Sequence, residues 1–145
     1  METNNTNFST YDPKNPDRIP NSDEIIFKPK FIERYSKLTD WDNFRKFSLS
    51  FLRRSIRVNT LKTSVEEVKR SIESKGWILT SIPWCQEGFW ISHPDRKDVG
   101  NLWEHKVGRI YVQESVSMVP PLVLQPKPGE IVLDTHVNRY SDKFL

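Results

Sequence analysis

The order of hydrophobic periodicities between residues 55 and 113 constrains the fold more than any other feature of this chain. Apolar and polar residues that alternate predict strands, whereas apolar residues every three or four positions predict helices. The segments run strand, helix, strand, strand, short helix or loop, strand, at residues 55–59, 65–75, 77–82, 88–92, 102–103 and 109–113. This order is that of the ferredoxin-like arrangement. The predicted fold class is therefore α+β.

Helix-capping and turn residues support this order. Ser64 and Glu67 have the spacing of a capping box, in which each side chain satisfies an amide of the other residue. Gly76 is suited to end the helix that follows, and Pro83–Trp84 to connect the second and third strands. The buried stripe of this helix is predicted to consist of Val65, Val68 and Ile72.

The N-terminal part of the chain carries different signals. Residues 1–23 contain five Asn and three Pro but few large apolar side chains, which predicts a disordered tail. Two helices are expected next, one beginning near Pro29 and one capped by Thr39 or Asp40. Their apolar residues recur at helical spacing: Phe31, Ile32, Tyr35 and Leu38 in the first, and Trp41, Phe44 and Phe47 in the second.

Charge and composition narrow the function classes. Residues 44–75 hold nine Lys or Arg against three Glu, a local charge of +6 in a chain whose total is +3. Such an excess is typical of a surface that binds an anionic partner, and equally of one that only keeps a protein soluble. The one cysteine, Cys85, excludes an internal disulfide and fits a reducing cytosol. No apolar window is long enough to span a membrane, so we expect a cytoplasmic protein with no membrane partner.

The C-terminal part predicts the start of a second domain. A helix is expected from Glu114 to about Leu124, restarted at Pro120–Pro121 because proline lacks an amide donor. The stretch 125–134 is predicted to be a linker and a short buried strand that ends at Asp134, as at the opening of doubly wound sheets. Residues 135–145 are not the glycine-rich loop that usually follows. The sequence therefore predicts a stub of a doubly wound domain.

Four segments in this order resemble the Sun family of RNA cytosine-5-methyltransferases, especially its archaeal members. They are residues 31–35 (FIERY), 55–62 (SIRVNTLK), 108–115 (GRIYVQES) and 128–134 (PGEIVLD). The resemblance implies a two-part enzyme: an RNA-binding module similar to an RNA-recognition motif, then a doubly wound domain that binds S-adenosylmethionine. It also implies a cysteine that attacks carbon 6 of the target cytosine, a second cysteine that assists release, and an aspartate beside the base.

On this resemblance, residues 24–124 are the RNA-binding module, 125–134 the linker and first strand of the methyltransferase domain, and 135–145 a tail unlike the family. A cofactor loop of the form Met-Cys-Ala-Ala-Pro-Gly is expected after Asp134, where the chain has Thr-His-Val-Asn. Asp134 is thus the one predicted cofactor-binding residue, and no catalytic residue is assigned. We expect a truncated or frame-disrupted product that binds no S-adenosylmethionine alone, with a companion chain carrying the catalytic half.

Five residues are predicted to contact RNA, and all lie close to the first strand of the module: Arg53, Arg54, Arg57, Asn59 and Lys62. For the two flanking arginines and the lysine, the alternative is a solvated surface. For the arginine and asparagine in the family-like motif, the alternative is a structural role at the seam between domains.

Aromatic and nucleophilic residues provide fewer candidates. Four tryptophans could stack on bases, although packing in the core is the commoner role: Trp77, Trp84, Trp90 and Trp103. Cys85 and the histidines lack the spacing of a catalytic or metal site. The predicted function is the RNA-recognition part of a tRNA or rRNA cytosine-5-methyltransferase. The alternatives are a stand-alone RNA-binding module and an inert fragment.

Overall fold

The computed structural model describes residues 16–133, which fall into two compact units that divide between Leu52 and Arg53. The first unit contains helices α1 (Pro29–Ser36) and α2 (Trp41–Ser48). Asp40 is the N-cap of α2, because its Oδ1 accepts a hydrogen bond of 2.7 Å from Asn43 N. The predicted pair of helices is thus present.

Aromatic rings hold the two helices of the first unit together. Tyr35 stacks on Phe44 at 4.7 Å between ring centroids, and Phe31 lies 4.4 Å from Tyr35. Phe27 meets Trp41 edge-on at 5.3 Å. Such pairs stabilise by about 0.5–1.5 kcal/mol each beyond the area that they bury. The aromatic periodicity seen in the sequence therefore forms the contact between the helices.

Residues 16–23 differ from the predicted disordered tail. Phe51 N donates to Asp17 O at 2.8 Å, and Ile19 N donates to Leu49 O at 2.9 Å. A turn of 3₁₀ helix follows at Ser22–Glu24, and Ser22 is buried. These backbone hydrogen bonds join the segment to the end of α2, a long-range pairing that local composition does not encode. Residues 1–15 lie outside the described part of the chain.

The second unit contains a four-stranded sheet with its helices. Its elements are β1 (Ser55–Val58), α3 (Val65–Glu73), β2 (Ile78–Ile82), β3 (Cys85–Ser92), α4 (Trp103–Lys106), β4 (Ile110–Val112) and α5 (Val119–Leu124). Short 3₁₀ helices precede α4 and α5, at Val99–Asn101 and Ser115–Met118. The strand order is β2-β3-β1-β4 with every neighbouring pair antiparallel. This is the ferredoxin-like order, and the predicted α+β class is confirmed.

One face of the sheet packs against α3 and forms the core. Ile56 and Val58 of β1 are buried with Val68 and Ile72 of α3. The same cluster contains Trp77, Phe89, Ile91, Val99, Leu102 and Ile110. Each such side chain contributes about 1.5–3 kcal/mol by leaving water. The alternation predicted for 55–59 thus directs every second residue of β1 into this core.

The second face of the sheet is covered by the chain itself. Met118 is fully buried and packs with Ile82 and Cys85 in a separate cluster. The partly buried side chain of Leu122 packs against this cluster. A Cβ added at Gly88 of β3 would lie 2.8 Å from Met118 Sδ, so glycine is what admits the sulfur there. The segment 115–124 therefore lies on the face opposite to α3.

Two local predictions are corrected in part. Ser64 Oγ accepts from Glu67 N at 3.2 Å, but the Glu67 carboxylate accepts from Thr63 Oγ1 and Arg109 Nη1 instead of the Ser64 amide. The predicted helix 114–124 is a 3₁₀ turn and then α5, with prolines in its first turn, so the predicted restart is present.

The predicted strand at 131–133 is not formed. These three residues are exposed and pair with no strand among residues 16–133. An extended segment becomes a strand only when a neighbour satisfies its amides and carbonyls. The stub of a doubly wound sheet is thus absent from the described residues, and Asp134 lies outside them.

Candidate nucleic-acid interface

Four of the five residues predicted to contact RNA lie along one extended stretch, and Lys62 lies in the turn that follows it, so the five do not converge on one point. Arg53 and Arg54 precede β1, Arg57 lies within it, and Asn59 and Lys62 follow it. An extended chain rises about 3.3 Å per residue, so Arg53 and Asn59 are about 20 Å apart. The structure therefore separates two ends that have different surroundings.

At the first end, Arg53 stacks on an aromatic pair. Its guanidinium lies 3.9 Å from the ring centroid of Trp90, which meets Trp84 edge-on at 5.8 Å. The Trp84 ring is about half exposed, and its Nε1 donates to Ser115 O at 3.0 Å. A desolvated cation–π contact of this kind contributes roughly 1–2 kcal/mol. The stack presents a cation and an indole on the same surface.

Arg54 connects this end to the loop at 93–98. Its Nη1 donates a hydrogen bond to the carbonyl of Lys97, which places two basic residues next to each other. In the same loop, Arg96 binds both carboxylate oxygens of Asp98, at 3.0 and 2.9 Å. The hydrogen bonds from Arg96 lower the pKa of Asp98 to about 2. Arg53, Arg54 and Lys97 form what we call the Arg53 group.

Arg57 is half-buried on the second face of the sheet, between Gly88 of β3 and Tyr111 of β4. Within residues 16–133 its guanidinium makes no hydrogen bond or ion pair. Burial raises the pKa of the nearby Cys85 thiol, as does the hydrogen bond to Glu87, and the charge of Arg57 only partly offsets this rise. A half-buried cation without an acceptor is suited to an anionic partner.

Asn59 holds the turn after β1. Its Nδ2 donates to Gly108 O at 3.0 Å, and its Oδ1 accepts from Leu61 N at 3.2 Å. Lys62 Nζ donates to Val107 O at 3.3 Å. Both side chains thus contact the backbone that leads into β4. These contacts hold the turn and leave Lys62 exposed, and RNA contact by both residues stays a prediction.

The remaining candidates divide by burial. Trp77 is in the core, whereas Trp103 of α4 is exposed. Cys85 is buried with a raised thiol pKa, so little thiolate is available for nucleophilic attack. The described residues contain no group of three or more His, Cys, Asp or Glu placed to hold a metal ion. Every helix in the described part is too short or too polar to cross a lipid bilayer.

The described residues alone do not fit an S-adenosylmethionine site. Gly129, just before the predicted strand, has a left-handed backbone with φ +91°. However, no paired strand follows it, and nothing lies within 4 Å of the position where its Cβ would be. A cofactor of this type needs a loop at the carboxyl end of a paired strand.

Sequence reasoning missed a basic group in the first unit. Residues 28–37 hold four Lys or Arg and one Glu, a local charge of +3 that equals the charge of the whole chain. This count of basic residues could have revealed the group. The apolar periodicity of the same helix pointed to packing instead.

Comparison with known proteins decides the family. The family described as the N-terminal domain of 16S rRNA methyltransferase RsmF matches residues 27–115. The chain belongs to this family. Its members are the N-terminal parts of RNA methyltransferases, and the predicted resemblance to the Sun family of RNA cytosine-5-methyltransferases is confirmed.

Relatives of this family come from bacteria and archaea. Ribosomal RNA small subunit methyltransferase F of Shewanella oneidensis is 55% identical over 104 residues, which are 69% of this chain and 22% of that protein. The tRNA (cytosine(49)-C(5))-methyltransferase of Pyrococcus abyssi is 47% identical over 106 residues, 72% of this chain and 33% of that protein. The chain therefore spans only a fifth to a third of these relatives.

A solved structure agrees with the family. The methyltransferase homolog protein from Pyrococcus horikoshii matches with a TM-score of 0.56 at 30% identity. The match covers 72% of this chain and 39% of that one.

Proposed function

We propose that the chain is the RNA-recognition part of an S-adenosylmethionine-dependent RNA cytosine-5-methyltransferase acting on rRNA or tRNA, and that alone it transfers no methyl group. The observation that carries this proposal is the match of residues 27–115 to the N-terminal domain of an rRNA methyltransferase. The relatives are named as an rRNA and a tRNA methyltransferase, which supplies both RNA classes. Such substrates imply a cytoplasmic location.

The Arg53 group is the surface that we assign to RNA in the second unit. It supplies guanidinium groups, which match phosphate oxygens in a planar fork. Beside it lies the half-exposed indole of Trp84, which can stack on an unpaired base. Arg57, which has no acceptor among residues 16–133, adds a cation on the second face of the sheet. Asn59 acts by shaping the turn, and Lys62 adds a charge beside it.

RNA binding by the full chain tests the proposal. Fluorescence anisotropy with a labelled rRNA fragment and with tRNA, from 50 to 200 mM salt, gives the affinity and its salt dependence. Log K falls as log salt rises. If each arginine contacts one phosphate, the variant Arg53→Gln/Arg54→Gln should make this fall less steep, reducing the magnitude of the slope by about 1.4–1.8. The matched control is Lys69→Gln/Arg70→Gln on α3, which removes the same charge from exposed positions. No RNA binding by the wild-type chain would refute the proposal.

Methyl transfer tests the second half of the proposal. We expect no transfer of a labelled methyl group to RNA by the chain alone, and transfer when a companion protein supplies the cofactor domain. Asp134 is proposed to belong to the cofactor motif in a complete enzyme, with S-adenosylmethionine as its ligand. Transfer by the purified chain without a companion would contradict this assignment.

Stand-alone RNA binding is the second candidate. It is favoured by the cover that Met118 gives to the second face of the sheet, because the chain itself buries part of that face. A chain that binds RNA with full affinity and shows no association with a methyltransferase domain would support this alternative.

A further inference from the structure

Helix α1 carries a row of basic side chains along one face. Lys30, Arg34 and Lys37 occupy positions i, i+4 and i+7, which lie above one another on a helix. Together with Glu33 and Leu38 they line a shallow cleft of about 460 Å³. The 1.5 Å rise per residue puts Lys30 and Arg34 about 6 Å apart along the axis. We call this row the α1 basic face.

Most of the charge in this cleft is not neutralised. Lys37 Nζ forms an ion pair of 2.8 Å with Glu33 Oε1. The side chains of Lys30 and Arg34 make no hydrogen bond or ion pair within residues 16–133, and both are exposed. Three cations and one carboxylate leave a charge of +2 on one side of an eight-residue helix.

The helix that carries the face is held in place from another side. Phe31 and Tyr35 lie roughly 100° further round the axis, where they pack against Phe44 of α2. The aromatic contacts therefore fix the orientation of α1 without covering the basic residues. A preorganised row of charges loses less conformational freedom on binding than charges on a loose segment.

The start of α1 lacks two features that stabilise the starts of α2 and α3. Its N-cap is Lys28 with no side-chain cap, and its first turn contains Lys30 but no acidic residue. In contrast, α2 and α3 are capped by Asp40 and Ser64 and have acidic residues in the first turn. A cation at a helix N-terminus costs about 0.3–1 kcal/mol. An anion bound beside Lys30 would offset this cost.

We propose that the α1 basic face binds the phosphodiester backbone of RNA, as a second contact separate from the Arg53 group. This inference rests on the proposed function, since the family names supply RNA as the anionic partner. Arg34 supplies a fork of donors for phosphate oxygens, and Lys30 supplies a point charge. Because these contacts read no base, they position RNA without selecting its sequence.

Salt-dependent binding of the full chain to a labelled rRNA fragment tests the inference. The variant Lys30→Gln/Arg34→Gln removes the two unpaired charges, and Lys69→Gln/Arg70→Gln is the matched control. Loss of two phosphate contacts should lower the salt slope by about 1.4–1.8, so the loss of affinity between 50 and 200 mM salt becomes about tenfold smaller. Circular dichroism and thermal melting check that the variant is folded.

The outcomes separate this inference from the proposed function. If the wild-type chain does not bind RNA, both fail. If Arg53→Gln/Arg54→Gln lowers the slope and Lys30→Gln/Arg34→Gln leaves it unchanged, only the α1 contact is refuted. If the control pair lowers the slope by the same amount, binding follows total charge and the assignment to α1 is also refuted.

Discussion

Lys75→Met is expected to destabilise the second unit, because it leaves a negative charge isolated inside the protein. The Glu104 side chain is 2% exposed, and its Oε1 accepts hydrogen bonds from Lys75 Nζ and Ser71 Oγ, both at 2.5 Å. Its Oε2 has no hydrogen-bond partner among the described residues. After the substitution, one neutral hydroxyl would be the only side-chain donor to this buried carboxylate.

The size of the effect follows from the burial of the two partners. Removing one partner of a fully buried ion pair costs about 3–5 kcal/mol. The Lys75 side chain is 36% exposed, so water screens part of the attraction and we expect about 2–3 kcal/mol. For a unit of this size, the loss corresponds to roughly 10–20 °C in Tm. Urea unfolding followed by tryptophan fluorescence gives the free energy directly.

The effect should depend on pH in a defined direction. Burial raises the pKa of Glu104, but the hydrogen bonds from Lys75 and Ser71 outweigh it and hold the pKa below its ordinary value of 4.5. A depressed carboxyl pKa stabilises the folded state above pH 4.5, and this stabilisation is lost as the pH falls through the folded value. The difference between wild type and Lys75→Met should therefore be largest at neutral pH and shrink in acid.

The double variant Lys75→Met/Glu104→Gln provides the control. Because it removes the buried charge as well, it should regain much of the stability that the single variant loses. A loss below about 1 kcal/mol for Lys75→Met, as for an exposed ion pair, would refute the reasoning. A double variant as unstable as the single one would refute it too.

Three further predictions concern the sheet, the turn and the loop of the second unit. Gly88→Ala should lower the free energy of unfolding by about 1–3 kcal/mol, because the new Cβ would lie 2.8 Å from Met118 Sδ. Asn59→Ala should lower it by about 1–2 kcal/mol, since two hydrogen bonds that close the turn are lost. Urea titration measures both. The carboxyl of Asp98 should titrate in NMR with a pKa of about 2, owing to the guanidinium that binds it.

Each of these predictions has a matched control. Gly100→Ala places a Cβ with nothing within 4 Å, so its stability should equal that of wild type. If Gly88→Ala behaves like Gly100→Ala, the packing of 115–118 on the sheet is wrong. Thr60→Ala, in the same turn as Asn59, should change stability little. Arg96→Gln should return the pKa of Asp98 toward 3.8, and an unchanged titration would contradict the assigned cause.

Local patterns predicted the elements because local physics forms them. The alternation at 55–59 gives β1, and the cap at Ser64 gives the start of α3, as predicted. The same reasoning failed for the partner of Glu67, since its carboxylate is bound by Arg109, 42 positions away. It failed again for residues 16–23, whose hydrogen bonds go to residues 49–51. Both failures concern partners that lie far away in the sequence.

In the candidate interface too, the sequence predicted local positions but not the contacts between distant residues. The family-like motif placed Arg57 and Asn59 in or next to the first strand, the local charge placed Arg53 just before it, and the structure has all three there. The motif and the charge could not show that Asn59 is bound to the turn before β4, or that Arg53 is stacked on Trp90. These contacts depend on which strands become neighbours.

The sequence by itself determined the order of helices and strands, the family and the location of the basic residues, because periodicity, capping and charge are properties of neighbouring residues. The tertiary structure decided which of those residues remain available to a ligand. Strand pairing placed Arg57 between Gly88 and Tyr111 without an acceptor among the described residues. The packing of α4 beside the end of α3 put Glu104 next to Lys75. Burial and pairing arise from contacts distant in sequence, and these form only when the sheet and its helices assemble.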